Sequence, residues 1–496
     1  MPEGDAAHVT PASPVAPRED GRWLRRSTAA LVVLVLVAAG TTYWLDLGTR
    51  WFGFDYPSPV TEPALVLPPA GLMLPVAPRA GAVARTTPES AVDGPAVRRA
   101  VAALVRSKKL GRHVVVRVAQ LSDGRVVYRH GAAPVTPAST MKLVTAVAAL
   151  KALGPGHRFT TSVVAAPRSN RIVLVGGGDP LLGRAPQSGR TYPPRADIQT
   201  LAGATARSLK AAGRTRVRLG YDTSLFTGPA VNPRWGASYV PDDVVSRISP
   251  LWVDEGRRRS GFADRSPFPA VAATKLFARA LESRHVSVLR SPVPAVAPPA
   301  SSGGKEIAEV RGAPLAQVVQ HVLEVSDNEG AEVLARQVAV ARGEPASFGG
   351  GARAVKAVLR TIGVSTRGDR IYDGSGLSRH NRLQPRTLLS VIRTAASDRH
   401  PGLRSAVADL PVAGFTGSLA TRFRTGDAAG LGTVRAKTGT LTGVHGLSGI
   451  VTSRDGAVMS FVAIADRVLP VNTLDARALL DRVAAALAGC ACAATP

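Results

Sequence analysis

The chain has 496 residues, 45% of them hydrophobic, which is enough for two or three folded domains and excludes an intrinsically disordered protein. Its 62 Lys and Arg residues outnumber 35 Asp and Glu residues, so the formal net charge is +27 at pH 7. Such a charge attracts polyanions, but the sequence has no zinc-finger spacing, no aromatic RNP-like run and no basic helix with heptads. The composition therefore favours a membrane or cell-wall environment, and we expect no nucleic-acid partner.

An apolar run at residues 28–45 has about the minimum length of a membrane-spanning helix. Arginines precede it and aromatic residues lie at or beyond its end, as in a positive-inside flank and an outer aromatic belt. The alternative is a cleaved signal peptide, for which Ala38 and Gly40 offer small residues at a cleavage site. We favour an uncleaved signal anchor behind a cytoplasmic tail at 1–27, because the run continues past these positions. Both alternatives export the rest of the chain.

Residues 46–95 are rich in proline and alanine, a composition typical of an extended linker, and folded structure is expected from residue 96. Apolar residues at helical spacing predict helices at 96–107, 196–212, 268–283, 312–325, 329–341, 384–395 and 472–488. Alternating or short apolar runs predict strands at 114–120, 125–128, 161–165, 172–175, 216–221, 434–440, 445–453 and 457–466. Residues 222–254 and 292–304 are predicted to be irregular, and the glycines at 349–351 to break the chain. Helices around a terminal run of antiparallel strands indicate an α+β fold with one main core and an inserted module.

Ser139 and Lys142 lie three residues apart at the start of a further predicted helix, which ends at Gly154. That spacing puts both side chains on one helix face, where the lysine amine can reach the serine hydroxyl. Pro137 suits a helix entry and places Ser139 near the positive end of the helix dipole, where a developing oxyanion is favoured. The same spacing is common on ordinary amphipathic helices, so the pair alone is a weak indication of catalysis.

Other features carry less chemistry. The glycines at 176–178 follow a strand but lack both phosphate-loop spacings, so they predict a turn. The two cysteines, Cys490 and Cys492, exclude a disulfide framework. A C-x-C pair can close a local bridge, but we favour an unimportant chain end without a bridge. His445 is better explained as a strand or surface residue than as a base. We expect no metal or cofactor.

Two further motifs join the serine–lysine pair. Ser326-Asp327-Asn328 falls between two predicted helices, and Lys437-Thr438-Gly439-Thr440 lies on a predicted strand. S-x-x-K, S-D-N and K-T-G in this order form the signature of the serine penicillin-recognising enzymes. Each motif is common by chance, but all three in order and in the expected context predict one catalytic site.

The residue types fit an acyl transfer. Lys142 can take the proton of Ser139 only when neutral, and burial beside a second cation, Lys437, lowers the pKa of a lysine. Ser326 can relay a proton to the leaving amine, and the Asn328 amide can hold a substrate carbonyl and orient Lys142. These five residues are the predicted catalytic set.

The strand motif supplies the predicted substrate contacts. Thr438 and Thr440 share one strand face, so their hydroxyls can hold a C-terminal carboxylate. Gly439 lets the strand approach the Ser139 helix without an intervening side chain. The oxyanion hole is predicted to be the backbone N–H groups of Ser139 and Thr440.

Over residues 95–488 the chain resembles the D-alanyl-D-alanine carboxypeptidase/endopeptidases of the penicillin-binding-protein 4 type, peptidase family S13. Beyond the three motifs, further stretches look like family blocks: 176–180, 221–226, 373–379, 410–414 and 436–441. The resemblance implies a penicillin-binding-protein/β-lactamase-like transpeptidase fold, an antiparallel sheet flanked by helices, with an inserted smaller domain. We place the peptidase domain at 96–165 and 266–488 and the insert at 166–265.

The resemblance also implies an activity: hydrolysis of D-Ala–D-Ala bonds, and often of D-Ala–diaminopimelate cross-links, in peptidoglycan stem peptides. It implies an acyl-enzyme on Ser139 and covalent inhibition by β-lactams at the same serine. Asp222, Phe226 and Arg379 are expected, by resemblance, to select the diaminopimelyl side chain, since an arginine suits its free carboxylate. With the membrane helix, this predicts a single-pass bacterial membrane protein whose catalytic domain faces the wall.

Two alternatives remain open from the sequence. A β-lactamase needs fast deacylation, and we find no glutamate in a loop clearly built to activate water. A non-catalytic scaffold or penicillin sensor would bind wall or partner proteins through its basic surface, but it has no need of both lysines.

Overall fold

The computed structural model describes residues 90–187, 191–259, 263–424 and 428–494, and these belong to one compact unit. The predicted tail at 1–27, the anchor at 28–45 and nearly all of the linker at 46–95 lie outside the described residues. Among the described residues, no helix has the length and apolar character needed to cross a bilayer.

The main sheet is antiparallel and joins strands from the two ends of the described chain in the order β2-β1-β11-β10-β9. Its strands are β1 (Val114–Gln120), β2 (Val126–His130), β9 (Val434–Leu441), β10 (Val444–Thr452) and β11 (Val458–Ala465). The central strands are apolar on both faces, because helices cover the sheet from each side.

Two helical layers enclose this sheet. On one face lie α1 (Gly94–Val105) and α10 (Thr473–Gly489). On the other lie α2 (Met141–Leu153), α5 (Leu315–Glu324), α6 (Asn328–Ala341), α7 (Phe348–Thr361), α8 (Pro385–Ala396) and the short α9 (Ser405–Ala408). α2 is buried on nearly all sides, and α6 packs directly against it. This contact brings the first two sequence motifs together.

A second sheet, of mixed direction, interrupts the main domain between α2 and α5. Its path is β6-β5-β4-β3-β8, with β7 also paired to β5. Its elements are β3 (Thr160–Ala165), β4 (Arg171–Val175), α3 (Ile198–Ala211), β5 (Arg216–Asp222), α4 (Pro269–Glu282), β6 (Ser287–Val288), β7 (Val293–Pro294) and β8 (Lys305–Arg311). The sheet therefore extends beyond the predicted insert at 166–265 on both sides, because β3 and β8 pair with each other.

Most predicted elements agree with the structure to within a few residues, but α7 and β8 were missed, as were the short β6, β7 and α9. The glycines at 349–351, predicted to break the chain, lie in the first turns of α7. A Cβ on Gly351 would lie 3.0 Å from the Ala335 carbonyl, so glycine there allows close packing of α7 on α6. β8 was missed because its alternating charged and half-buried residues give no strong apolar run.

The two ends of the described chain meet at the main domain. The backbone N–H of Asp93 donates to the carbonyl of Cys492 at 2.8 Å, and Val92 pairs with Ala493. Cys490 and Cys492 form a disulfide with each other, so the favoured expectation of a chain end without a bridge was wrong.

Candidate active site

Ser139 lies in a tight turn that leads into α2. The turn is a single 3₁₀ segment, Ala138–Thr140, and Met141 begins the α-helix. Both the backbone N–H and the hydroxyl of Thr140 donate to the Pro137 carbonyl, at 3.2 and 2.7 Å. Ala138 has a φ of +46°, a costly conformation for a residue with a side chain. The turn thus holds Ser139 at the N-terminal end of a helix in a fixed, strained backbone.

Lys142 is fully buried, and its amine contacts three oxygen atoms. The Nζ atom lies 2.9 Å from Ser139 Oγ, 2.8 Å from Asn328 Oδ1 and 3.0 Å from the Ser375 carbonyl. Each of these oxygens belongs to a neutral group. A neutral amine can donate to two such acceptors and still offer its lone pair to the serine hydroxyl.

Burial lowers the pKa of Lys142 from its usual value to about 8, although the carboxylates of Asp327, Glu332 and Asp373 act in the opposite direction. Lys437 is also fully buried, and its pKa lies well below the ordinary value, first because of burial and then because of the charges of Lys142 and Arg422. Two amines in one desolvated site disfavour each other's protonation. With a pKa of about 8, Lys142 is therefore partly neutral near physiological pH.

The second motif forms the N-terminus of α6. Asp327 caps the helix by accepting from the Gly330 N–H at 3.0 Å, and Asn328 is its first residue. Ser326 has a φ of +61°, so this loop is also strained. Asn328 bridges two elements, since its Oδ1 accepts from Lys142 and its Nδ2 donates to the Val244 carbonyl at 3.1 Å.

The third motif lies on β9, at the edge of the main sheet. Lys437 donates to the Thr438 carbonyl at 3.1 Å, and the Thr438 hydroxyl donates to Ser418 Oγ at 2.9 Å. A Cβ on Gly439 would lie 2.8 Å from the Pro137 carbonyl, so a side chain there would push the strand away from the Ser139 turn. Thr440, the last residue of the motif, is exposed.

A cavity of about 390 Å³ joins the three motifs. It is lined by Ser139, Tyr239, Val244, Ser326, Asn328, Leu377, Thr438, Thr440, Leu441 and Thr442. A larger cavity of about 580 Å³ elsewhere contains none of the motif residues. The hydroxyls of all three motifs thus face one space large enough for a small peptide terminus.

The structure does not bring all the predicted substrate-binding residues to this cavity. Asp222 is buried at the end of β5, where its two oxygens accept from the N–H groups of Ser224 and Ala297. Phe226 lines a different cavity. Arg379 is exposed and donates to the Thr442 carbonyl at 2.6 Å, which puts it at the rim of the motif cavity. Of the three residues expected to select the diaminopimelyl side chain, Arg379 alone is so placed.

Sequence reasoning missed two contacts of the site. One is the Ser375 carbonyl, which Lys142 contacts, and the other is Ser418, which accepts from Thr438. A backbone acceptor has no residue-type signal, and a lone serine in a loop has a weak one. Residues 373–379 were singled out as a family block, which did not predict the position of Ser375 beside Lys142.

His445 is a buried residue of β10, paired in register with Thr440. Its ring nitrogens have no hydrogen-bond partner within the described part of the chain, and burial lowers its pKa to about 4. It is therefore neutral and enclosed, in agreement with its expected place on a strand.

Among the residues that the structure describes, one group of side chains has the spacing of metal ligands: Glu255, His321 and Asp327. Glu255 already forms an ion pair with Arg257. The guanidinium of Arg257 already neutralises the Glu255 carboxylate, which a metal ion would otherwise neutralise. This group is therefore an ion-pair cluster beneath the α6 N-terminus.

Taken together, the geometry defines a serine hydrolase or transferase site of the serine–lysine type. A hydroxyl at a helix N-terminus contacts a buried amine of lowered pKa, a second buried lysine lies near that amine, and several hydroxyls face one cavity. Such a site activates serine for attack on a carbonyl without a histidine.

Comparison with known proteins specifies this class further. The model of the D-Ala-D-Ala carboxypeptidase 3 (S13) family matches residues 97–264 and 258–487. The chain is 36% identical to carboxypeptidase DacB of Mycolicibacterium smegmatis, over 95% of this chain and 99% of that one. It is 28% identical to a D-alanyl-D-alanine carboxypeptidase of Actinomadura sp., over 69% of this chain and 75% of that one.

Among solved structures, penicillin binding protein 4 of Haemophilus influenzae is similar with a TM-score of 0.62 and 21% identity, covering 79% of this chain and 98% of that one. The chain belongs to the D-Ala-D-Ala carboxypeptidase 3 (S13) family and has the penicillin-binding-protein/β-lactamase-like transpeptidase fold.

Proposed function

We propose that this chain is a serine D,D-carboxypeptidase that hydrolyses the terminal D-Ala–D-Ala bond of peptidoglycan stem peptides through an acyl-enzyme on Ser139. The observation that carries the proposal is the position of the Lys142 amine, 2.9 Å from Ser139 Oγ and held by Asn328. Membership of the S13 family supports the substrate class.

In the first step, neutral Lys142 takes the hydroxyl proton of Ser139, and Oγ attacks the carbonyl carbon of the penultimate D-alanine. The backbone N–H groups of Ser139 and Thr440 hold the oxyanion. As the peptide bond breaks, a proton passes through Ser326 to the leaving amine, and D-alanine departs. Water then attacks the Ser139 ester while Lys142 accepts a water proton and passes it to the departing Ser139 Oγ, so the shortened peptide leaves and Ser139 and neutral Lys142 are restored.

The substrate contacts follow from the cavity lining. Thr438 and Thr440 offer hydroxyls to the terminal carboxylate. Asn328 holds the peptide carbonyl once its amide leaves Val244. A β-lactam presents the same carboxylate and a strained amide, so we expect it to acylate Ser139 as well; a β-lactam complex of the Haemophilus influenzae protein is consistent with this.

We extend the proposal to D-Ala–diaminopimelate cross-links. Arg379 lies at the cavity rim and is exposed, so its guanidinium can pair with the free carboxylate of a diaminopimelyl side chain. Endopeptidase activity would use the same serine, with a longer leaving group in place of D-alanine.

A mass analysis of purified muropeptides incubated with the full chain tests the activity. We expect pentapeptides to lose one alanine residue, and cross-linked dimers to yield monomers if the endopeptidase activity is present. If penicillin labels Ser139 but the pentapeptides stay unchanged, the protein is a penicillin sensor and not a carboxypeptidase. If the protein turns penicillin over rapidly instead of forming a slowly decaying adduct, the result favours a β-lactamase.

We also propose that residues 28–45 anchor the enzyme in the cytoplasmic membrane with the catalytic domain on the wall side. The apolar run, its arginine flank and a wall substrate support this placement. Cell fractionation tests it: the full chain should sediment with membranes and resist carbonate extraction. Release of a shorter, soluble protein would instead indicate a cleaved signal peptide.

A further inference from the structure

The Ser375 carbonyl that contacts Lys142 belongs to a tight turn, Asp373-Gly374-Ser375-Gly376, between α2 and α6. The turn also lies against the residue before the reacting serine: a Cβ on Gly376 would lie 1.8 Å from the Ala138 carbonyl oxygen. A small movement of this turn therefore moves the Ser375 carbonyl, which accepts from Lys142, and at the same time disturbs the packing against Ala138, the neighbour of Ser139.

Glu332 holds this turn from the side opposite to Lys142. It lies on α6, one helical turn after Asn328 and on the same face, and only 1% of its surface is exposed. Its Oε1 accepts from the N–H groups of Gly374 and Ser375 at 3.1 and 2.8 Å, and its Oε2 accepts from Gly374 at 3.0 Å.

Two other groups complete the support. Thr145, one turn after Lys142 on α2, donates its hydroxyl to the Gly374 carbonyl at 2.7 Å. Asp373 Oδ1 accepts from the Gly376 N–H at 3.0 Å. The peptide groups on either side of Ser375 are therefore bonded at both their N–H and C=O ends, and Glu332 provides the contact from α6.

We propose that Glu332 is a positioning residue of the acylation step: its carboxylate fixes the 373–376 turn so that the Ser375 carbonyl holds the Lys142 amine against Ser139. α6 then orients the lysine twice, directly through Asn328 and indirectly through Glu332. The inference rests on the proposed role of Lys142 as the base.

The charge of Glu332 also acts on the lysine. The groups that raise the pKa of Lys142 against the effect of burial are Asp327, Glu332 and Glu329 on α6 and Asp373 in the turn. Lys437 faces Lys142 from β9. Glu332 itself faces Asp373 and, one turn along its own helix, Arg336. Burial, and next the charge of Asp373, raise the pKa of Glu332 to about 7, so its carboxylate is charged near pH 8, where Lys142 titrates. Loss of the Glu332 charge therefore lowers the pKa of Lys142.

The test is the pH dependence of penicillin acylation in the full chain carrying Glu332→Gln. Glutamine keeps the size of the side chain but turns an NH₂ donor towards the N–H groups of the turn. We expect the plateau rate to fall about tenfold to hundredfold, the scale of a slightly misplaced catalytic group. We expect the acid limb to move to lower pH, because one negative charge beside Lys142 is gone.

Glu332→Asp separates the two effects and serves as the second variant if glutamine prevents folding. It keeps the charge but withdraws it by one methylene, so the plateau rate should fall while the acid limb stays near that of the wild type.

Asp369→Asn is the matched control. Asp369 is a buried carboxylate that accepts from the Gln384 N–H at 2.7 Å and the Thr387 hydroxyl at 2.8 Å, away from the motif residues.

If Glu332 has a role only in folding, Glu332→Gln and Asp369→Asn should behave alike. Both variants would have lower melting temperatures, but the acylation rate per folded molecule and its pH dependence would be those of the wild type. That result would overturn the proposal. Failure of the proposed function is distinguishable in the wild type, which would then either take up no penicillin or take it up and release no D-alanine from a pentapeptide.

Discussion

Lys142 shows how one side chain is prepared for its chemistry. Its amine is removed from water, contacts neutral oxygens and lies in the same site as a second buried lysine. Burial outweighs four surrounding carboxylates, since the net direction of the pKa is downward, to about 8. A lysine of that pKa is partly neutral at physiological pH and still basic enough to take a serine proton.

The rate of acylation should therefore depend on pH through Lys142. Below about pH 8 the amine becomes protonated, so the second-order rate constant for penicillin should fall about tenfold per pH unit. Stopped-flow or quenched labelling between pH 5 and 9 measures this limb. Lys142→Arg is the control, because a guanidinium stays charged and cannot act as base. A wild-type rate that stays constant down to about pH 5 would exclude a lysine base.

The residues that the sequence predicted best are those with a fixed local spacing. Ser139 and Lys142 meet within one helical turn, and Asn328 meets them because α6 packs on α2. The Ser375 carbonyl and Glu332 could not be predicted in the same way. Their roles arise from a backbone turn that the fold brings in from far along the chain, and no residue pattern marks such a contact.

At the scale of elements, the site depends on the distance between the edge strand β9 and the Ser139 turn. The closest approach is at Gly439, where there is room for hydrogen but not for a methyl group. The strand carries Thr440, whose N–H is the proposed second half of the oxyanion hole. A displaced strand would therefore separate the two donors.

Gly439→Ala should reduce acylation far more than stability. The added Cβ would lie 2.8 Å from the Pro137 carbonyl, so β9 must shift. A shift of this kind costs about a hundredfold in rate when it misplaces catalytic donors. Gly203→Ala, on α3 with 3.4 Å to its nearest neighbour, is the matched control and should leave the rate unchanged. Equal acylation rates in both variants would show that the approach of β9 is not required.

Elements with strong periodicity were predictable, and those governed by tertiary packing were not. The strands β9, β10 and β11 were expected almost where they lie, because their apolar runs are long. The glycines at 349–351 were expected to break the chain, but in the fold they lie in α7, and Gly351 allows close approach of the α6 backbone. Propensity describes a chain in isolation, and the close packing of two helices can outweigh the low helix propensity of glycine.

At the scale of the whole molecule, the sheet at β3–β8 has its own apolar core. Phe277 and Leu281 of α4 and Leu201 of α3 are completely buried there, and none of them lines the motif cavity. Tyr239 and Val244, from the irregular segment between β5 and α4, do line the motif cavity. The second sheet thus supports one wall of the cavity without supplying the reacting groups.

Phe277→Ala should lower the free energy of unfolding by about 3–5 kcal/mol, the usual cost of removing a buried phenylalanine. The rate of acylation per folded molecule should not change, since the cavity it leaves is within the second core. Urea unfolding and penicillin labelling measure the two quantities. Leu334→Ala lies in the main core, on the helix that carries Asn328, and should lower both the free energy of unfolding and the rate of acylation. A lost rate with Phe277→Ala would mean that the second sheet controls the chemistry.

The central claim, that Ser139 is the nucleophile of an acyl-enzyme, is tested most directly by the intact mass of the full chain after incubation with benzylpenicillin. We predict one added penicilloyl group, located on Ser139 by peptide mapping and missing in Ser139→Ala, which should also release no D-alanine from a pentapeptide. An adduct that persists in Ser139→Ala, or that maps to another residue, would contradict the account.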